Sequence, residues 1–136
     1  MPKIDILIMN KGVYCLLMHL KNYTRINVKG KTVLFPKGYY CYVGSALNGL
    51  EERIKRHKSK VKKKFWHIDY FLEKAKIVKV KVIKTNEKKE CWLSEKIKSL
   101  KGRTVMNKFG STDCKCETHL HFFPSNPSKM LDRVFK

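Results

Sequence analysis

Gly12-Val13-Tyr14-Cys15-Leu16-Leu17-Met18-His19-Leu20 reads as a continuous apolar run with Tyr, Cys and Val, and Tyr39-Tyr40-Cys41-Tyr42-Val43-Gly44 is a second strand-like run rich in aromatics. A run without polar alternation suits a strand buried on both faces, so Gly12 to Leu20 is expected at the centre of a sheet. Between the two runs Thr24 to Val28 alternates, Lys29-Gly30-Lys31 turns and Thr32 to Phe35 returns, which predicts an added hairpin before Pro36-Lys37-Gly38 resets the chain. Ile77 to Ile83 sets Ile77, Lys79, Lys81 and Ile83 against Val78, Val80 and Val82, the pattern of a half-buried strand with one basic side. The sheet is expected to be small and mainly antiparallel.

Three segments have helical periodicity. Leu47 to about Val61 carries Leu47, Leu50 and Ile54 as its buried stripe, with Asn48 or Ser45 as caps. Arg53 and His57 lie one turn apart on the shoulder of that stripe, from where a side chain reaches a cleft floor without entering the core. Lys55, Arg56 and Lys58 to Lys64 read as a solvated charge run that contacts phosphates or water. Trp66 to Ala75 is a second short helix burying Ile68, Phe71, Leu72 and Ala75. Lys89 to Leu100 is a third, stopping at Gly102. Its inward stripe of Leu93, Ile97 and Leu100 includes Glu90, whereas Glu95 points to nearly the opposite side. An acid on an apolar face is costly unless it is paired or ligates a cation, so Glu90 is either a first-turn acid favoured by the helix dipole or an inward metal ligand, and the other motifs favour the ligand. The basic tail from Asn126 is expected to fray.

Thirty-one Lys and Arg against 11 Asp and Glu leave a formal charge of +20 on 136 residues, a surface that attracts polyanions. Phosphate chains bind such a surface by releasing condensed counterions, so nucleic acid is the expected partner. A heat-adapted ion-pair surface would need Glu in numbers comparable to Lys. The length and 43 % apolar content suit a single domain over residues 1–136. Ile4 to Met9 is apolar but interrupted by Asp5 and too short to span a bilayer, so a cytoplasmic protein without membrane association is expected. The odd set Cys15, Cys41, Cys91, Cys114 and Cys116 argues against a secreted disulfide framework. Cys114-x-Cys116-x-x-His119 offers soft ligands that suit Zn²⁺. At i and i+2 of an extended segment both thiols share a face, but a fourth ligand has to come from Cys91 or His121. Packed, reduced thiols are the favoured reading, with zinc the lesser one.

The ordered motifs resemble the GIY-YIG nuclease superfamily. Gly12-Val13-Tyr14 matches the first signature, Tyr42-Val43-Gly44 the second, and Arg53 with His57 the helix that follows. The chain is most similar to the branch named domain of unknown function 123, marked here by Gly38 to Ala46, Trp66-His67-Ile68-Asp69-Tyr70, Glu90-Cys91-x-Leu93 and Phe109-Gly110-Ser111-Thr112-Asp113-Cys114-x-Cys116-x-x-His119-Leu120. The resemblance spans about residues 12–123. It implies an α+β fold whose three-stranded antiparallel sheet, here with the extra hairpin, is flanked by helices and cuts nucleic acid with one divalent cation, Mg²⁺ or Mn²⁺. The family mechanism assigns Tyr42, or Tyr14 beside it, to removal of the water proton, Arg53 to phosphate oxygens and Glu90 to the metal; His57 serves phosphate contact or proton transfer. Ser45, Arg56, Lys60 and His67 are the candidate contacts to nucleic acid, with DNA favoured over RNA. A repair or structure-selective endonuclease is the expected activity. The alternative is a non-catalytic nucleic-acid-binding module accessory to a repair protein.

Overall fold

Strand β1 (Gly12–Leu20) lies between β4 (Gly38–Ala46) and β5 (Lys76–Lys84) and is antiparallel to both. Of its residues only His19 is not fully buried, the central position that its apolar run demands. The computed structural model describes residues 10–135, so the Ile4 to Met9 run lies outside the described residues. The sheet continues past β4 through β7 (Leu120–Phe123) and β6 (Arg103–Thr104), in the order β5-β1-β4-β7-β6. All of its pairings are antiparallel. Five strands therefore stand where three were expected. The two additions have no period to read, because β7 is four buried residues without alternation and β6 is only two residues long.

The expected hairpin is present as a separate two-stranded sheet of β2 (Thr24–Val28) and β3 (Lys31–Phe35). Its loop residues Lys29 and Gly30 both have positive φ, 50° and 92°, as a two-residue type I′ turn requires. Ile26, Val28 and Phe35 turn inward from it.

Helices cover both faces of the large sheet, and the pleat decides which residues each meets. Tyr14, Leu16, Met18, Tyr40 and Tyr42 pack with the hairpin, with Leu50 of α1 (Leu50–Lys58), and with Ile68 and Phe71 of α2 (His67–Phe71). Val13, Cys15, Leu17, Cys41 and Val43 face the other way, onto Leu93 and Ile97 of α3 (Glu90–Lys98) and Leu131 of α4 (Ser128–Val134). The tail expected to fray is thus a helix in part, because Leu131 is fully buried against α3 and the sheet. None of the described helices is long and apolar enough to cross a membrane.

Two local departures from the expected pattern have identifiable causes. The β1–β5 register shifts at Leu17/Met18, so Leu17 pairs with Lys79 and Met18 with Ile77, and Val78 is the extra, half-exposed residue of a bulge. Ile77 thereby joins Val80 and Val82 on one face, while Lys79 and Lys81 reach Asp132 of α4 at 3.9 and 2.6 Å. In α1, Leu47 falls outside the helix and is exposed, because the chain starts the helix only after Gly49, φ 77°. Its cap comes from neither Asn48 nor Ser45. Asn10 accepts the Leu50 N–H through its carbonyl, at 2.9 Å, and the Glu51 N–H through its side chain, at 3.3 Å.

Candidate functional site

Beyond Tyr42, where β7 stops pairing, the end of β4 overhangs its neighbour, and a cleft of about 280 Å³ opens there. Tyr14 and Tyr42 enter it from adjacent strands. Tyr14 stands opposite Gly44, and a Cβ on that glycine would lie 2.4 Å from the phenol, so the Gly of the second tripeptide is the space in which the first tripeptide's Tyr rests. Gly110, φ 68°, serves Tyr42 likewise, since a Cβ there would meet the Tyr42 ring at 2.9 Å. The two glycines set how closely the phenols approach the backbone.

Arg53 lines the cleft from α1. Its Nη1 donates to the Ser45 carbonyl, and its guanidinium lies 4.9 Å from the centre of the Trp66 ring, which also lines the cleft. Glu90, the first residue of α3, reaches the same cleft from the opposite face of the sheet. Ser45 Oγ donates to Glu90 Oε1 at 2.6 Å, and His119 Nδ1 lies 3.0 Å from Oε2, with its N–H direction off the line of a formal hydrogen bond. Burial by itself would raise the Glu90 pKa, but the contacts with His119 and Ser45 and the Arg53 charge outweigh it and hold the carboxyl below its usual range. Glu90 is therefore charged at neutral pH. Glu95 is solvent-exposed on the other side of the helix, as the helical phase requires.

Both phenols are pushed above the ordinary tyrosine range, each chiefly by burial, with Tyr42 raising Tyr14 and Glu90 raising Tyr42. The Tyr14 hydroxyl lies 2.7 Å from His57 Nε2. His57 is not on the cleft wall: it is 2 % exposed, behind Tyr14, where direct phosphate contact is closed to it. Burial and then the Lys62 charge lower its pKa to about 4, so it is a neutral partner.

The four expected nucleic-acid contacts separate. Ser45 and His67 line the cleft. His67 Nδ1 accepts the Gly110 N–H at 2.9 Å, which places its proton on Nε2, and burial lowers its pKa. Arg56 is committed elsewhere: it grips the buried Asp69 through two hydrogen bonds of 2.8 and 2.9 Å, while Asp69 also accepts the N–H groups of Phe65 and Trp66. Lys60 is exposed beside a larger concavity of about 830 Å³ that it shares with Lys58, Lys62 and Lys64. Lys29, Thr112 and Asp113 also line the tyrosine cleft, and the sequence carried no separate signal for Lys29 beyond its place in a turn.

A second group of ligating side chains lies behind Glu90. Cys91, Cys114, Cys116 and His119 bring their sulfur and nitrogen atoms within 4.8 Å of one another, a set that could hold a metal ion. Cys91 is the fourth member that the spacing of the other three required. His121 is not: its Nε2 lies 2.8 Å from Ser94 Oγ.

Comparison with the curated proteins and with the solved structures yields no match. Residues 13–136 match a family described as domain of unknown function DUF123. That match takes in Tyr14 and Tyr42, the whole cleft lining and all four members of the cysteine–histidine cluster, so the chain belongs to the DUF123 family.

Proposed function

We propose that this chain is a metal-dependent endonuclease of the GIY-YIG type, hydrolysing phosphodiesters in nucleic acid, with DNA preferred to RNA. The observation that supports it is the convergence of two phenols, a guanidinium and a charged carboxylate on one cleft, in a chain of net charge +20. A nucleic-acid-binding surface alone has no use for a half-buried acid on the same cleft as an arginine.

Hydrolysis needs a water attacking in line with the leaving oxygen while charge grows on the phosphate. Arg53 spends one N–H on Ser45 and keeps the rest of its planar fork for two phosphate oxygens, with the Trp66 ring holding the group in place. Tyr14 is tied to His57, which leaves Tyr42 as the phenol that takes the water proton. Its raised pKa means that the approach of positive charge, from Arg53 and a bound cation, has to favour the phenolate. Glu90 has lone pairs left beyond the Ser45 and His119 contacts, and Asp113 lines the same cleft. One or two carboxylates completed by water is the donor set that Mg²⁺ or Mn²⁺ accepts. Such an ion, when bound, supplies charge to the leaving oxygen.

The test is a cleavage assay with Mg²⁺ or Mn²⁺ on branched, flapped and single-stranded DNA and RNA. Arg53→Ala and Glu90→Gln are each expected to lower cleavage by roughly 10²–10³-fold, while binding at low salt is retained. Binding without cleavage by the unaltered protein would replace this reading with a non-catalytic module accessory to a repair protein. Equal loss of binding and cleavage in both variants would make the two residues structural.

A further inference from the structure

We propose that Cys91, Cys114, Cys116 and His119 bind one Zn²⁺ ion, and that this ion positions the Glu90 carboxylate through His119. The four residues come from two places, Cys91 from the first turn of α3 and the others from the irregular segment between β6 and β7. Around a tetrahedral ion with bonds of roughly 2.3 Å to sulfur and 2.0 Å to nitrogen, ligand atoms stand about 3.5–3.8 Å apart. Cys114 Sγ and His119 Nε2 are 3.5 Å apart, and the set as a whole lies within 4.8 Å. No disulfide joins these cysteines, and a pair of them oxidised to one would leave the third thiol and the imidazole unexplained. Three thiols and one imidazole form a closed, soft donor set, suited to zinc and unlike the oxygen set at the cleft.

The two nitrogens of His119 face different groups. Nε2 belongs to the cysteine cluster, whereas Nδ1 lies 3.0 Å from Glu90 Oε2. A metal on Nε2 obliges the imidazole to carry its proton on Nδ1, 3.0 Å from the carboxylate, and a small turn of the ring brings that N–H, off line without the ion, into donation to Glu90. Carboxylate, histidine and zinc then form one chain in which each member orients the next. The ion would also staple segment 105–119, a long stretch without regular structure, to the helix that carries Glu90. Lys108, whose Nζ donates to the carbonyls of Cys114 and Cys116 at 2.9 and 3.2 Å, folds the same loop from within.

The positioning role rests on the endonuclease reading; the zinc site does not. Its test therefore uses metal content, not cleavage. The 136-residue chain produced with zinc is expected to hold about one Zn²⁺ per chain by elemental analysis, and Co²⁺ in its place to show the intense visible bands of a tetrahedral thiolate site. Cys114→Ser combined with Cys116→Ser should lose both signals. Cys15→Ser, which alters a thiol outside the cluster, should keep them. As the double variant could fail to fold, Cys91→Ser, at an exposed thiol, provides a second check and should weaken zinc retention against a chelator by at least ~10-fold. Unaltered protein that binds neither Zn²⁺ nor Co²⁺ under reducing conditions overturns the proposal, as does full metal retention in the double variant. Zinc present in a protein that cuts nothing upholds the site and ends the endonuclease reading; cleavage unchanged on zinc removal overturns the positioning role.

Discussion

His57 shows how a single side chain can be near the chemistry without touching it. Arg53 and His57 share a helix shoulder, yet Arg53 opens on the cleft while His57 is sealed behind the Tyr14 hydroxyl. Its burial has a measurable consequence. The unfolded chain takes up a proton on this imidazole near pH 6.5, but the folded one resists until about pH 4, so the unfolded state binds more protons in between. Stability attributable to His57 is thus complete above pH 6.5 and is lost as the pH falls to 4, in total roughly 3 kcal/mol. Urea denaturation at a series of pH values should show this decline, and His57→Gln should flatten it; an unchanged slope in the variant would mean that the imidazole is already exposed.

At the scale of elements, α1 and α2 are joined by a polar clamp that their own periodicities do not reveal. Asp69, the third residue of α2, is fully buried, and it holds Arg56 of α1 while accepting two backbone N–H groups that lead into its own helix. Burial would raise its pKa, but the Arg56 and backbone hydrogen bonds win and lower it. Removing one member of such a pair strands the other. Arg56→Ala is expected to cost about 3–5 kcal/mol in chemical denaturation, because it strands the fully buried Asp69 charge, whereas Asp69→Ala strands a partly solvated guanidinium and two backbone N–H groups and is expected to cost less. The clamp also fixes Trp66, whose ring lies 4.5 Å from the Arg56 guanidinium as well as beside Arg53. Arg56 therefore serves the cleft by holding its wall.

Over the whole molecule, the +20 charge is not uniformly available to a polyanion. Lys62 donates to the carbonyls of Arg56 and His57 and so caps the end of α1, Lys64 pairs with Glu73, and Lys81 with Asp132. Lys60 stays exposed with its charge uncommitted to any described acid. Nucleic-acid binding should weaken linearly in log affinity against log salt, and Lys60→Glu should reduce the steepness by about one phosphate's worth, without altering cleavage at saturating substrate. Lys62→Ala should leave that slope unchanged and lower the thermal midpoint instead, since its charge is spent on helix carbonyls. Identical slopes for all three proteins would place the binding surface elsewhere.

Local pattern was enough to establish the central β1, the hairpin, the presence of α1, α2 and α3 and the inward phase of Glu90, because each follows from side-chain period or turn chemistry among neighbouring residues; the type I′ turn and the shortening of α2 to His67–Phe71 emerged only from the structure. It could not supply the short strands β6 and β7, which exist only by pairing with a longer strand, nor the bulge at Val78, which reassigns the faces of β5. The division of roles among Arg53, Arg56 and His57, the cap that Asn10 provides, and the arrival of Cys91 beside Cys114, Cys116 and His119 were likewise decided in three dimensions. These contacts join residues far apart in the chain, and what sets them is the packing of helices on both faces of one sheet, which no window of sequence contains.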